Sequence, residues 1–403
     1  MIDPLPAGTH LLHIGPQKTG STAVQSAMHA SREQLREHGV IYPGPALKPT
    51  RAIGAGLGFG MGRGAVPPRP AEWETLKRQI ADIGDQRVCI SYENFGRLTG
   101  GAVRRVVEEL GGARPHVATV ARRYDRLLPS QWQQRIKAGK HWSYDDWLRA
   151  VLEAGPPGSA DPHGVWVPHD TVSLVRRWAD VVGAEHLTVV VKSEQDPRQL
   201  LAVMEALLGV PDGVLRTEDT RANRSMSYQE VELVRAVNIA LADVPHDDVD
   251  WHTLFSRGLI PTLVDRPFPA GEDRVPPVPA WAADLLEELS ARRIEGLRGL
   301  GVRVIGDLED LRTPAAGSAD DAAVPPPVTV PIDTAVQAIL GVTAGAIRRQ
   351  RGPETSSDPE ADPDGRSPER GSPAETRPRR RGRPGVLERV LGRQRRTLSG
   401  DGD

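Results

Sequence analysis

The chain of 403 residues has a single cysteine, Cys89. One thiol cannot close an intramolecular disulfide or build a cysteine-based metal site. It lies in an apolar run and reads as an inert core residue. No run of about 18 apolar residues exists, so no membrane-spanning helix is expected. The opening "MIDPLPAGTHLLHIG" lacks the basic segment and long apolar stretch of a secretory signal, so a cytoplasmic protein is expected. No H-x-x-x-H or H-E-x-x-H pair occurs, and no metal is expected. Net charge is only −2, so no bulk attraction to nucleic acid or membrane follows. Lysine is scarce: only six of the 51 basic residues are lysine, at 18, 48, 77, 137, 140 and 192. Each of them is therefore conspicuous.

Proline and glycine are plentiful, at 36 and 41 residues, while the hydrophobic fraction is 38%. Part of such a chain is not expected to pack. The change of character falls near residue 312, dividing a domain at 1–312 from a Pro/Gly/Arg-rich tail at 313–403. That tail is expected to be disordered, with two short helical stretches at 333–347 and 386–398. The second is basic and amphipathic, which would allow weak peripheral contact with an anionic surface but no stable membrane insertion.

Within 1–312, short apolar runs at 10–14, 87–91, 116–121 and 186–191 read as buried strands, with a fifth at 302–306. Helical patterns fall between them, at 21–39, 71–84, 102–112, 129–139 and 197–209. The alternation predicts an α/β fold of three layers, a central parallel sheet with helices on both faces. Ligand is then expected at the carboxyl ends of the strands. The glycine-rich stretch 51–70 lacks strand–turn–helix context and reads as a mobile loop rather than a dinucleotide fingerprint. Arg51 at its start is a candidate acceptor contact.

The first strand leads into "GPQKTGST", Gly15–Thr22, and then into a helix. Glycines let backbone N–H groups converge, the helix adds its positive end, and Thr19, Ser21 and Thr22 add hydroxyls, which together suit phosphate or sulfate. The nucleotide loop G-x-x-x-x-G-K-[ST] places its lysine after the second glycine. Ser21 stands there instead, and Lys18 lies inside the loop, suited to a shorter anion. A kinase or NTPase would also need a magnesium-binding aspartate ending a strand, whereas strand 87–91 is followed by Tyr92–Glu93.

"PQKTGST" resembles the 5′-phosphosulfate loop of sulfotransferases, P-K-[TS]-G-T-[TS]. The resemblance implies a P-loop-type fold and 3′-phosphoadenosine 5′-phosphosulfate (PAPS) as sulfuryl donor, with 3′,5′-adenosine bisphosphate (PAP) as product. Gln17, Lys18, Thr19, Gly20, Ser21 and Thr22 would hold the 5′-phosphate, Lys18 at the bridging oxygen. The family's 3′-phosphate pair, an arginine ending a strand and a serine eight residues on, is matched by Arg122 and Ser130 in "RRYDRLLPSQW". An arginine fork makes two parallel charge-assisted bonds to phosphate. Weaker likeness continues through "LTVVVKSEQDPRQ", where Ser193–Glu194–Gln195 departs from the usual wording, and through "RANRSMSYQEVELVRAVN" and "GVRVIGDLEDL". It places Asn223, Arg224 and Ser225 near the 3′-phosphate or adenine.

Transfer to a hydroxyl or amine needs a base. The family's base follows the strand before the 3′-phosphate strand, and here that position offers Glu93. His13 and His141 compete, the former reading as a packed core residue. His141 is a candidate to line an acceptor site with Trp142 and Trp147, although tryptophans at that spacing are more often core. Lys137 and Lys140 are candidate contacts for nucleotide or an acidic acceptor. The acceptor is expected to be a small molecule or glycan. A kinase and a non-catalytic PAPS or PAP binder are the alternatives.

Overall fold

The computed structural model describes residues 2–58, 67–153, 157–158, 161, 163–216, 224–242, 244, 247–314 and 329–351. Six strands form one parallel sheet: β1 (His10–His13), β2 (Val40–Ile41), β3 (Arg87–Ser91), β4 (Pro115–Ala121), β5 (Leu187–Val191) and β6 (Arg303–Ile305). Their order is β2-β3-β1-β4-β5-β6, and every pairing is parallel. The five expected strands are present, and β2 is added at the edge. Chain connections leave β1 toward one edge and β4 toward the other. The gap between the carboxyl ends of β1 and β4 is therefore the topological switch point, where open α/β sheets bind ligands.

One face of the sheet is covered by α1 (Ser21–Ala30) and α2 (Arg32–Glu37), together with the helix Gln199–Leu208. The other carries α3 (Thr50–Leu57), α4 (Pro70–Ile80), α5 (Gly101–Leu110) and the helix Thr171–Val182. The helix expected over 21–39 breaks at Ser31, whose hydroxyl donates to the Val214 carbonyl at 2.7 Å. The stretch from Arg51 is not a loop at its start, because α3 occupies 50–57. A Cβ on Gly56 would lie 2.2 Å from the Trp73 ring, so the glycine is what lets α3 and α4 meet. Residues 59–66 lie outside the described residues.

α6 (Tyr124–Lys137) begins five residues before the expected start and carries Pro129 inside it. Its Arg123 pairs with Asp125 at 2.7 Å in the first turn, while Pro129 lies in the second turn and removes one intrahelical donor there. α6 opens a separate hydrophobic cluster formed with helices 144–152, 228–241 and 280–298 and the π-helical stretch His252–Leu259. Of the two expected tail helices, 386–398 lies outside the described residues. The other is one continuous helix, Ile332–Arg351, seated on 252–264. Its glycines make the contact: a Cβ on Gly341 would lie 2.9 Å from Leu259 Cα, and one on Gly345 2.6 Å from the Thr253 carbonyl oxygen. Arg349 pairs with Asp250 at 2.7 Å. A Gly345→Val change should lift the helix off this seat and cost about 1–3 kcal/mol, as overpacking does. Amide hydrogen exchange would show it as lost protection over 332–351 together with a lowered Tm, while protection in β1 and β4 persists.

Candidate functional site

Three residues of the loop, Gly15, Lys18 and Gly20, have φ of +81°, +66° and +108°. A left-handed backbone at a non-glycine residue costs about 1–2 kcal/mol, and interspersing such residues turns backbone N–H groups into an anion-binding concavity. Gly15 is also fixed by space, since a Cβ there would lie 2.8 Å from Glu93 Cα. The Thr19 and Ser21 hydroxyls both donate to the Pro16 carbonyl, at 2.7 and 3.1 Å. They brace the loop from within and do not point to a ligand. Thr22 is exposed. Among the described residues, the N–H groups of Lys18, Gly20, Ser21 and Thr22 have no partner. Gln17 donates to Asn94 at 2.7 Å.

The loop is anchored to its neighbours. The Gly15 carbonyl accepts from Val120 N at 2.8 Å and from the Thr119 hydroxyl at 3.1 Å, and the Ile14 carbonyl accepts from Gly96 N at 3.2 Å. Loop, β4 and the turn after β3 are thus tied together by hydrogen bonds.

Arg122, just past β4, faces the loop. Its Nη1 donates to the Lys18 carbonyl at 3.0 Å, while Nε and Nη2 grip Glu194 at 2.7 and 3.2 Å. Glu194 is thus held below the usual carboxylate range: burial pushes it upward, and Arg122 outweighs burial. Ser130, two turns along α6, donates to the Arg126 carbonyl at 3.2 Å. Behind Arg122, Arg293 is 3% exposed, donates to the Arg122 carbonyl at 2.9 Å and lies 3.8 Å over the Tyr124 ring.

Lys18 has its ammonium pushed below the ordinary lysine value by burial and by Arg122. Lys137, the last residue of α6, is lowered further, to about 8, by burial and then by Lys18. Lys192 is lowered by burial, with Arg122 adding to the shift, and its Cε lies 3.7 Å from where a Gly20 Cβ would stand. Three lysines and an arginine thus crowd the mouth of the loop with Glu194 as counter-charge. Such a cluster favours an anion.

Glu93 lies on the opposite side, 13% exposed. Its Oε1 pairs with Lys48 and its Oε2 accepts from Gln25 Nε2 at 2.9 Å. Burial pushes its carboxyl up, but Lys48 and the Gln25 hydrogen bond outweigh that and leave it below the ordinary value. Gln25 also reaches the Ser91 hydroxyl at 3.3 Å, which contacts His13 Nδ1 at 2.7 Å. His13 is fully buried with Nε2 unpartnered, and burial lowers it to about 4. It is a neutral core histidine, unsuited to taking protons from solvent-borne groups near neutral pH.

The remaining candidates are placed as follows. Arg224 is bound bidentately to buried Glu230, both contacts at 2.7 Å, and reaches the site only through the charge it sets beside Lys137. The Ser225 carbonyl accepts from Arg224 at 3.1 Å. Asn223 lies outside the described residues. Arg51 pairs with Glu72 at 2.8 Å. His141 is exposed and stacks on Trp142, whose ring lies 5.7 Å from the Lys140 ammonium, whereas Trp147 is fully buried in the helical cluster. Sequence reasoning missed Lys48, Gln25 and Glu194 as participants. For Lys48 the one available signal was the rarity of lysine.

No protein-family model matches the chain, and no curated protein matches it. Three solved chains do. One of these, a crystal structure of a sulfotransferase from Alicyclobacillus acidocaldarius, is 18% identical, covers 57% of this chain and 92% of its own, and superposes with a TM-score of 0.36.

The buried histidines make stability depend on pH. His13 at about 4 and His169 at about 3, both lowered chiefly by burial, titrate below the ordinary value of about 6.5. Below about pH 6.5 the unfolded chain binds these protons first, so stability should fall as pH drops toward about 4. Urea-unfolding midpoints across that range should show the slope, and the double change His13→Asn with His169→Gln should reduce it, leaving the share of His116, which burial also lowers to about 4.

Proposed function

We propose that the protein transfers a sulfuryl group from PAPS to a hydroxyl or amine of a glycan, glycolipid or small-molecule acceptor. The observation that carries this reading is the loop itself. Its single lysine stands inside the turn at the switch point of a parallel sheet, its outward N–H groups are unpartnered, and Arg122 flanks it. The resemblance of "PQKTGST" and of the Arg122–Ser130 spacing to the phosphate motifs of sulfotransferases supports the choice of donor.

In this reading the backbone N–H groups of 18 and 20–22 take the 5′-phosphate. Arg122 and Ser130 take the 3′-phosphate, Arg122 exchanging Glu194 for it. The acceptor oxygen or nitrogen forms a bond to sulfur as the bond from sulfur to the bridging oxygen breaks. The electron pair stays on that oxygen, and Lys18 answers the developing charge from a fixed position. Glu93 accepts the acceptor's proton, which balances the step. Gln17 keeps its place at Asn94, while Arg224 contributes field rather than contact. A kinase or NTPase is disfavoured because Ser21, where that chemistry needs lysine, donates to the loop's own carbonyl. A non-catalytic binder shares every contact except Glu93. A Glu93→Gln change separates the two, since an enzyme loses most of its rate with little change in nucleotide affinity. Among the described residues no helix is long and apolar enough to cross a membrane.

Calorimetric titration with PAP, beside ATP and magnesium, tests the donor. PAP should bind and ATP should not; ATP binding alone would sink the reading. Lys18→Ala should weaken PAP by about ten- to a hundredfold, the worth of a charge-assisted hydrogen bond. Removing the competing carboxylate by Glu194→Gln should tighten PAP several-fold.

A further inference from the structure

Glu93 has its two oxygens held by two different parts of the chain. Oε2 is held by Gln25, which belongs to α1, the helix that the phosphate loop opens. Gln25 is 1% exposed, and through Ser91 it is tied to β3 and to His13 on β1. That side of the carboxylate is rigid and shares the loop's frame. Oε1 is held by Lys48, from the irregular segment between β2 and α3. This segment is pinned at its base, where Tyr42 donates to the Leu47 carbonyl at 2.6 Å and Arg32 donates to the Tyr42 and Ala46 carbonyls at 3.1 and 3.0 Å. The ammonium itself lies 5.9 Å from the Tyr92 ring centroid, and its side chain is 28% exposed. Of the two partners it is the more exposed.

We propose that Lys48 is a positioning residue that keeps Glu93 ionised and idle until an acceptor hydroxyl or amine takes its place at Oε1, with Gln25 holding the other oxygen in register with the phosphate loop. This rests on Glu93 being the base.

The groups facing Glu93 show why displacement would matter. Lys48 is the cation at contact distance. His13 from β1 is neutral, and Tyr42 and Tyr92 are phenols that burial pushes up and keeps protonated. Burial is the largest single influence on Glu93, and it acts against the charge. With Lys48 in place the carboxylate is a weak base. With Lys48 moved aside, burial dominates and the same carboxylate becomes a stronger proton acceptor, which is what transfer from a hydroxyl requires. The acceptor's own arrival thereby raises the basicity of the group that deprotonates it.

The test uses the full chain with carboxyl-labelled glutamate, the Glu93 signal being assigned by its loss in Glu93→Gln. In Lys48→Met the Glu93 carboxyl should titrate at higher pH than in the native protein, and in Lys48→Arg close to the native position. Lys48→Gln replaces Lys48→Met if the latter fails to fold. Donor consumption with water as acceptor should show its acid limb moved in the same direction, which a merely structural contact would not produce. PAP affinity, measured by calorimetry on the same variants, should stay within about twofold. An unmoved carboxyl titration overturns the proposal, as does a loss of PAP affinity on removing Lys48, which would make it a nucleotide contact. If the native protein fails to bind PAP, the functional reading falls, while the titration still decides whether Lys48 governs Glu93.

Discussion

The Pro16 carbonyl oxygen is the point on which the site depends. Two hydroxyls, from Thr19 and Ser21, converge on it and close the loop on itself. Side chains that would otherwise compete for a ligand are turned inward, and the backbone N–H groups of the loop and of the first turn of α1 are left facing out. The same closure holds Lys18 in its left-handed conformation. Strain of this kind persists only where the surroundings over-determine it, and here they do: β4 and the turn after β3 both bond the loop's first residues. Loosening that carbonyl would release the lysine and the N–H groups together.

Charge is distributed with the same economy. Four of the chain's six lysines, at 18, 48, 137 and 192, gather at the carboxyl edge of the sheet, although arginine is far more common. Lysine suits this place because burial shifts its ammonium readily and its point charge does not demand a planar partner, whereas arginine is kept for forked pairing. Two arginines beside the site follow that division. Arg122 grips Glu194, Arg224 grips Glu230, and neither fork stands open.

Much of the architecture was legible from local pattern. Each central strand is a short apolar run buried on both faces, and such runs announce themselves. The loop was legible because it is local in sequence, as was the placing of Arg122 just past β4 and Ser130 on α6. What escaped was either too short or too distant. β2 has two residues, too few for any period to register. α3 was hidden by glycines, which lower helix propensity but here admit Trp73. The Lys48–Glu93 and Arg122–Glu194 pairs join residues 45 and 72 positions apart, and no periodicity reports such a meeting. The helix at 332–351 was read as part of a solvated tail because its seat on 252–264 is made by glycines, which carry no hydrophobic signal.

Arg293 shows how far the positive character of the site is built into the fold. It is almost wholly buried; its Nη1 and Nη2 donate to two carbonyl oxygens and its guanidinium lies over the Tyr124 ring, while its Nε has no hydrogen-bond partner. Burying a cation is costly, and here the charges of Asp170 and Asp125 and the Tyr124 phenol offset part of a burial cost that still holds Arg293 below the ordinary arginine value. One of those carbonyls belongs to Arg122, so Arg293 both fixes the backbone of Arg122 and raises the potential behind it. His169, pushed to about 3 by burial and by nearby arginines, stays neutral and leaves that potential as it is. Burial, with repulsion from neighbouring cations at the two lysines, leaves Lys18, Lys137 and Arg293 all below their ordinary values, so their positive charge is only partly offset by nearby carboxylates. An anion at the loop would add to that offset, so anion binding, where it occurs, should raise folding stability through the same residues.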